Sequence, residues 1–276
     1  MKRSSTMSDF NRNSGTVWGR PTTRAETTAV VDSGLRAYML QVYNYMAIGL
    51  AITGLAALGV YMASVTGDPA TAARTASGAA VRVGGQYLTS VGYALFISPL
   101  KWAVILAPLG LVFALSFGIQ RLRPATAQLL FWVFSALMGI SLGSIFLVYT
   151  HTSITRVFFI TAASFGALSL YGYTTKRDLS GMGSFLIMGL FGLIIASLVN
   201  LFLQSSMMQF IVSVVGVLIF AGLTAWDTQR LKNEYIYGGM DGEMTERTAI
   251  MGALSLYLNF INLFTFLLQL LGQKNE

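Results

Sequence analysis

Cysteine is absent from the 276 residues, and histidine occurs once. A disulfide framework, thiol catalysis and cysteine-ligated metal are therefore excluded, as is a multi-histidine metal site. Charge is the third scarcity. Only 11% of the residues are Asp, Glu, Lys or Arg, against about 25% in an average soluble domain. A soluble fold of this length could not cover its surface with so few charges. No P-loop, catalytic triad or hydrolase-type carboxylate pair is present, so the sequence offers no enzyme site and no cofactor motif.

What is abundant is apolar: 54% of the chain is hydrophobic. The expectation is an all-α polytopic membrane protein, its first partner the lipid bilayer. A transmembrane helix needs about 20 mostly apolar residues. Stretches free of acidic and basic residues place the first helix in Ala37 to Gly67 and the second in Trp102 to Gln120. The third lies in Pro124 to Thr155, ending near Tyr149, and the fourth in Val157 to Thr175. Leu179 to Trp226 is long enough for two spans, and the polar patch Gln204-Ser205-Ser206 divides it. The fifth helix then runs from about Gly183 to Leu203, and the sixth starts near Gln209. Thr248 to Gln273 holds the seventh.

Residues 37–273 thus form a seven-helix domain. A polar segment, Met1 to Arg36, precedes it and reads as a mobile cytoplasmic tail without a signal peptide's apolar core. Residues 274–276 are a short C-terminal tail. The connection Ser64 to Lys101 is long; its first half is rich in Ala, Thr and Gly and reads as a flexible loop. Its second half, Gln86 to Pro99, suits a membrane interface rather than a span. No internal repeat supports a transporter of the inverted-repeat type.

The net charge of +7 is read as a topology signal rather than as a nucleic-acid footprint. With the N-terminus inside, thirteen Lys and Arg fall in cytoplasmic segments, among them Arg121, Arg123, Lys176, Arg177, Arg230, Lys232 and Arg247. Five fall on the other side: Arg74, Arg82, Lys101, Arg156 and Lys274. The positive-inside rule then puts the N-terminus in the cytoplasm, and seven spans put the C-terminus outside.

Ionisable groups in lipid are costly and ask for a reason. Asp227 follows a long apolar run on a helix that stays amphipathic through Leu231, Tyr235 and Ile236 until Gly238-Gly239. It lies about ten residues, roughly 15 Å, from that break. It is either an interfacial acid paired with Arg230 or Lys232, or a functional group of the bundle interior. On the seventh helix Ser255, Asn259 and Asn262 share one face, continued by Gln269. Counted from Thr248, Asn259 is about 11 residues or roughly 16 Å deep, level with Asp227. The two can meet, whether as a pore element or as helix-to-helix glue. Ser135, Gly139 and Gly143 form a small-residue packing stripe.

Four segments resemble the Bax inhibitor-1 family, in its bacterial YccA-like branch. They are AGLTAWDTQRLK (Ala221 to Lys232), MGALSLYLNFINLF (Met251 to Phe264), MGISLGSIFLVYT (Met138 to Thr150) and SLYGYTTKRDLSGMGSFL (Ser169 to Leu186). The likeness spans Tyr38 to Gly272. It implies a seven-helix bundle with the last helix near its centre, in a bacterial inner membrane. It also implies a pH-sensing pair of acids that controls a calcium leak. The first acid corresponds to Asp227, with calcium as the transported ion. The second corresponds to Asn259, where this chain carries an amide. An arginine at the end of the second helix can lock the first acid; Arg121 is the matching position and Arg123 the alternative. An acid found within that helix in some members has no counterpart in Trp102 to Gln120.

The substitution matters physically. Two close carboxylates cannot both ionise cheaply, and one holds a proton. A carboxylate and an amide have no such repulsion, and they offer calcium a poorer oxygen cage than two acids. The function implied is a pH-modulated calcium leak. The alternatives are regulation of an FtsH-type membrane protease complex, which the polar tail would suit, and a proton-coupled transporter. The sequence leaves the oligomeric state open.

Overall fold

The structure, a computed structural model, describes residues 24–75, 78–119, 121–238 and 242–275, with side chains from Ser33 onward. Among the described residues, seven helices are long and apolar enough to cross a membrane. They are α1 (Arg24–Ser64), α3 (Leu100–Gly118), α4 (Pro124–Leu142) with its short continuation α5 (Ile145–Val148), α6 (His151–Thr174), α7 (Ser180–Leu203), α8 (Ser206–Tyr237) and α9 (Gly242–Leu271).

Most of the expected N-terminal tail lies outside the described residues. Its last part differs from expectation, because α1 already begins at Arg24. Leu35, Tyr38, Met39, Val42 and Met46 recur at helical spacing and are all buried, one apolar stripe that packs this part of the helix into the bundle. At the other end of the chain, the last residues are docked. Asn275 N–H donates to the Val148 carbonyl at 2.8 Å, and Lys274 bridges Tyr149.

The break between α7 and α8 falls at the polar patch. Gln204 takes the left-handed conformation, φ 49°, and ends α7. Ser205 then caps α8, its hydroxyl accepting from Met208 N–H at 3.3 Å.

The connection after α1 is folded rather than a flexible loop. Three short strands, β1 (Val65–Thr66), β2 (Arg82–Val83) and β3 (Gln86–Leu88), pair antiparallel in the order β1-β3-β2. A seven-residue helix, α2 (Ser90–Phe96), follows. The sheet exists because Leu88 and Val81 bury themselves against Tyr61 and Leu147, an anchor that spacing within the connection does not reveal.

Burial ranks the helices. Half of α9's apolar window is buried, 50%, against 11% for α3. Helix α9 is therefore the axis of the bundle, with Leu256, Tyr257 and Leu263 at 1% exposure or less. Helix α4 packs on α1 through the small-residue stripe: a Cβ on Gly139 would collide with the Thr53 carbonyl and Ala56. Phe185, Met188 and Phe202 of α7 point outward at 70% exposure or more, as lipid-facing residues should.

Candidate functional site

The segment Asp227-Thr228-Gln229 sits on α8 where helices α1, α6, α7 and α9 converge. Consecutive helical residues point about 100° apart, so three neighbouring side chains tie three different elements. Asp227 faces α9 and is 4% exposed. Its Oδ2 accepts from Asn259 Nδ2 and from Ser255 Oγ, both at 2.7 Å. Its Oδ1 pairs with Arg230 Nη2 at 2.7 Å. The carboxylate thus has three charge-assisted contacts, as a buried ion needs.

Thr228 faces α6, its Oγ1 2.9 Å from Ser169 Oγ, which in turn lies 2.6 Å from Tyr43 Oη of α1. Gln229 reaches the turn between α6 and α7. Its Oε1 accepts from Leu179 N–H at 2.8 Å and its Nε2 donates to the Arg177 carbonyl at 2.7 Å. In that turn the Ser180 hydroxyl and N–H hold the Asp178 carboxyl below the usual carboxylate range.

Of the two interfacial cations open to Asp227, the structure selects Arg230. Lys232 turns away, donating to the Tyr173 carbonyl at 2.8 Å over the Tyr173 ring. Arg230 also lies over Trp226, 5.2 Å from the ring centroid. Arg121, expected as the lock on Asp227, does not fill that role. Among the described residues it makes no ion pair with Asp227, and it lies exposed in the turn after α3, as does Arg123 before α4. The reason is geometric. Arg230 is three residues along the same helix, within reach of Asp227 without any loop having to be ordered.

Asn259 and Ser255 join Asp227, but Asn262 does not. Its Nδ2 donates to the Leu258 carbonyl of its own helix at 2.8 Å. Nor is Asp227 part of a ready calcium cage: among the described residues no three His, Asp or Glu side chains gather to hold a metal.

Two features were not anticipated. Tyr257 is fully buried, its Oη 2.6 Å from Thr53 Oγ1, which also lies 2.8 Å from the Ser135 carbonyl. Tyr257 thereby knits α9 to α1 and α4. The second is a polar cluster at the other end of α8 and α9. Gln269 Oε1 accepts from Gln209 Nε2 at 2.7 Å and Ser213 Oγ at 2.8 Å, and Asn200 Nδ2 donates to Gln209 at 3.1 Å. Gln269 lay on the α9 stripe, yet its partners on α8 depend on helix register.

Each end of the α8–α9 seam opens into a cavity. One, of about 720 Å³, is bordered by Ile119 at the C-cap of α3, Arg230 and Glu234 of α8, and Arg247 and Ser255 of α9. Arg230, with 44% of its side chain exposed, connects this cavity to Asp227. The other, of about 580 Å³, holds Asn200, Gln209, Ser213, Gln269 and Lys274.

Comparison with known proteins agrees with this architecture. The family profile described as "Inhibitor of apoptosis-promoting Bax1" matches residues 35–276. An uncharacterized protein of Rickettsia prowazekii is 45% identical over 245 residues, 89% of this chain and 93% of the relative. The inner membrane protein YbhL of Escherichia coli is 42% identical over 253 residues, 91% of this chain and 97% of YbhL. An uncharacterized protein of Deinococcus radiodurans is 43% identical over 238 residues, 86% of this chain and 90% of that protein. The chain belongs to the Bax inhibitor-1 family and is an integral membrane protein of seven transmembrane helices.

Proposed function

We propose that this protein is a cation leak pathway, with calcium as the transported ion, controlled by the cluster around Asp227. One observation carries the reading: a carboxylate buried at 4% exposure is joined to an open cavity by a half-exposed arginine. An ionisable residue inside a membrane bundle is costly and functional by default. Here Arg230, Asn259 and Ser255 hold the carboxylate and so hold α8 to α9. A cation or a proton arriving from the cavity competes with Arg230 for Asp227 and loosens that link. Asn259 stands where a second acid would repel the first, so the native cluster lacks the charge repulsion of two carboxylates.

The reading places the protein in a bacterial inner membrane with a cytoplasmic N-terminus and an external C-terminus. The distribution of Lys and Arg and the likeness to YbhL support that. Calcium uptake into proteoliposomes of the purified full chain tests the function. Uptake above empty liposomes, raised by Asp227→Asn because the variant loses the link to Arg230, supports it; uptake equal to empty liposomes refutes it.

A second role, regulating an FtsH-type membrane protease complex, draws on the six Lys and Arg of Met1 to Arg36. Co-purification of such a protease with the full chain, lost when residues 1–23, which precede α1, are removed, would support it.

A further inference from the structure

We infer that the α8–α9 seam is the conduction path and that the stacked rings of Phe220 and Phe266 are its gate. The inference rests on the leak reading and adds its second half: where the path leads beyond Asp227, and what closes it.

On α9, Ser255, Asn259, Asn262, Phe266 and Gln269 follow one another at steps of four and three, a single face. On α8, Ser213, Gly216, Phe220, Asp227 and Arg230 lie on one face at steps of three, four, seven and three. The helices run antiparallel, and contacts match the two faces in order. Gln269 meets Ser213 at 2.8 Å, Phe266 lies on Gly216 and Phe220, and Asn259 and Ser255 meet Asp227. The seam is therefore polar at both ends, and each end opens to its own cavity. Its middle is closed by two aromatic rings, centroids 5.9 Å apart and 24° from parallel.

The fit at the middle is close. A Cβ on Gly216 would stand 2.7 Å from the Phe266 ring, so only glycine lets that ring lie flat on α8. Leu186, Leu193 and Leu263 back Phe220 in the same apolar cluster. An apolar constriction between two wet vestibules blocks ions by excluding water, with no charge needed.

The chain has no cysteine, so Asn262→Cys gives one reporter thiol, a turn beyond Phe266 on the Asp227 side. The full-length protein in proteoliposomes is treated with a membrane-impermeant trimethylammonium thiosulfonate from the α7–α8 loop side. Ser206→Cys, exposed at the first turn of α8, reports which side is reached. Asn262→Cys should be unreactive alone and should label at least about tenfold faster once Phe266→Ala or Phe220→Ala removes one of the two rings. Phe266→Leu, still apolar and bulky, should keep it closed. Calcium uptake by Phe266→Ala should exceed native uptake by about tenfold.

Melting temperature and size-exclusion profile show that each variant is folded. If Phe266→Ala does not fold, Phe220→Ala carries the test. Labelling gained without calcium uptake upholds the gate and removes calcium from the function. Folded variants with native labelling and native uptake overturn the gate, as does fast labelling of Asn262→Cys with both rings intact.

Discussion

Asn259→Asp is the perturbation that most directly probes the Asp227 cluster. The native amide donates to Asp227 Oδ2 at 2.7 Å. An aspartate there sets two carboxylates side by side, with charge centres about 4 Å apart, and at an effective dielectric of 20 their repulsion is about 4 kcal/mol. At 1.36 kcal/mol for each tenfold change, that equals about three pH units. The pair should therefore keep one proton up to roughly neutral pH, shared between the two oxygens. Arg230 attracts both acids and trims the effect, but its side chain is 44% exposed, so solvent screens much of that attraction. Calcium uptake by proteoliposomes should then change steeply between about pH 6 and 8, where the native protein changes little. Asp227→Asn combined with Asn259→Asp should abolish the change, because a lone acid beside an amide has no partner to repel. Native, single and double variants measured across that range decide the matter. Identical pH profiles in folded native and Asn259→Asp protein refute the reasoning.

Arg230→Ala should destabilise the bundle by about 2–3 kcal/mol, below the 3–5 of a fully buried pair because Arg230 is half in solvent. Arg121→Ala, at an exposed turn, should stay within about 0.5 kcal/mol; denaturation in detergent reads both. Gln229→Leu leaves Leu179 N–H and the Arg177 carbonyl without their partner, at a cost of about 2 kcal/mol. Trypsin should then cut faster at Lys176 and Arg177, and an unchanged rate would show that the turn does not depend on Gln229. Reporter fusions at the two termini should light up on opposite sides of the membrane, the N-terminal one in the cytoplasm; a shared side would overturn the odd count of spans.

Sequence by itself determined the class and the span count, because the hydrocarbon core imposes one length and one polarity on every helix that crosses it. The same logic let Gln204-Ser205-Ser206 mark the break before α8, where Gln204 turns left-handed and Ser205 caps the next helix. Asp227 and Asn259 were legible as neighbours because depth along two adjacent spans can be counted in residues. What one span cannot show is the azimuth and register of the helix beside it. Only the tertiary structure sent Arg230 rather than Lys232 or Arg121 to Asp227. Only it joined Thr228 to Ser169, Gln229 to the α6–α7 turn, and Tyr257 to Thr53. The sheet after α1 was hidden for a related reason: its strands are two or three residues long and depend on Tyr61 and Leu147, which lie outside the connection itself. Hydropathy reports how deep a residue sits, whereas a hydrogen bond depends on the partner helix's rotation to within an ångström or so, and packing alone sets that rotation.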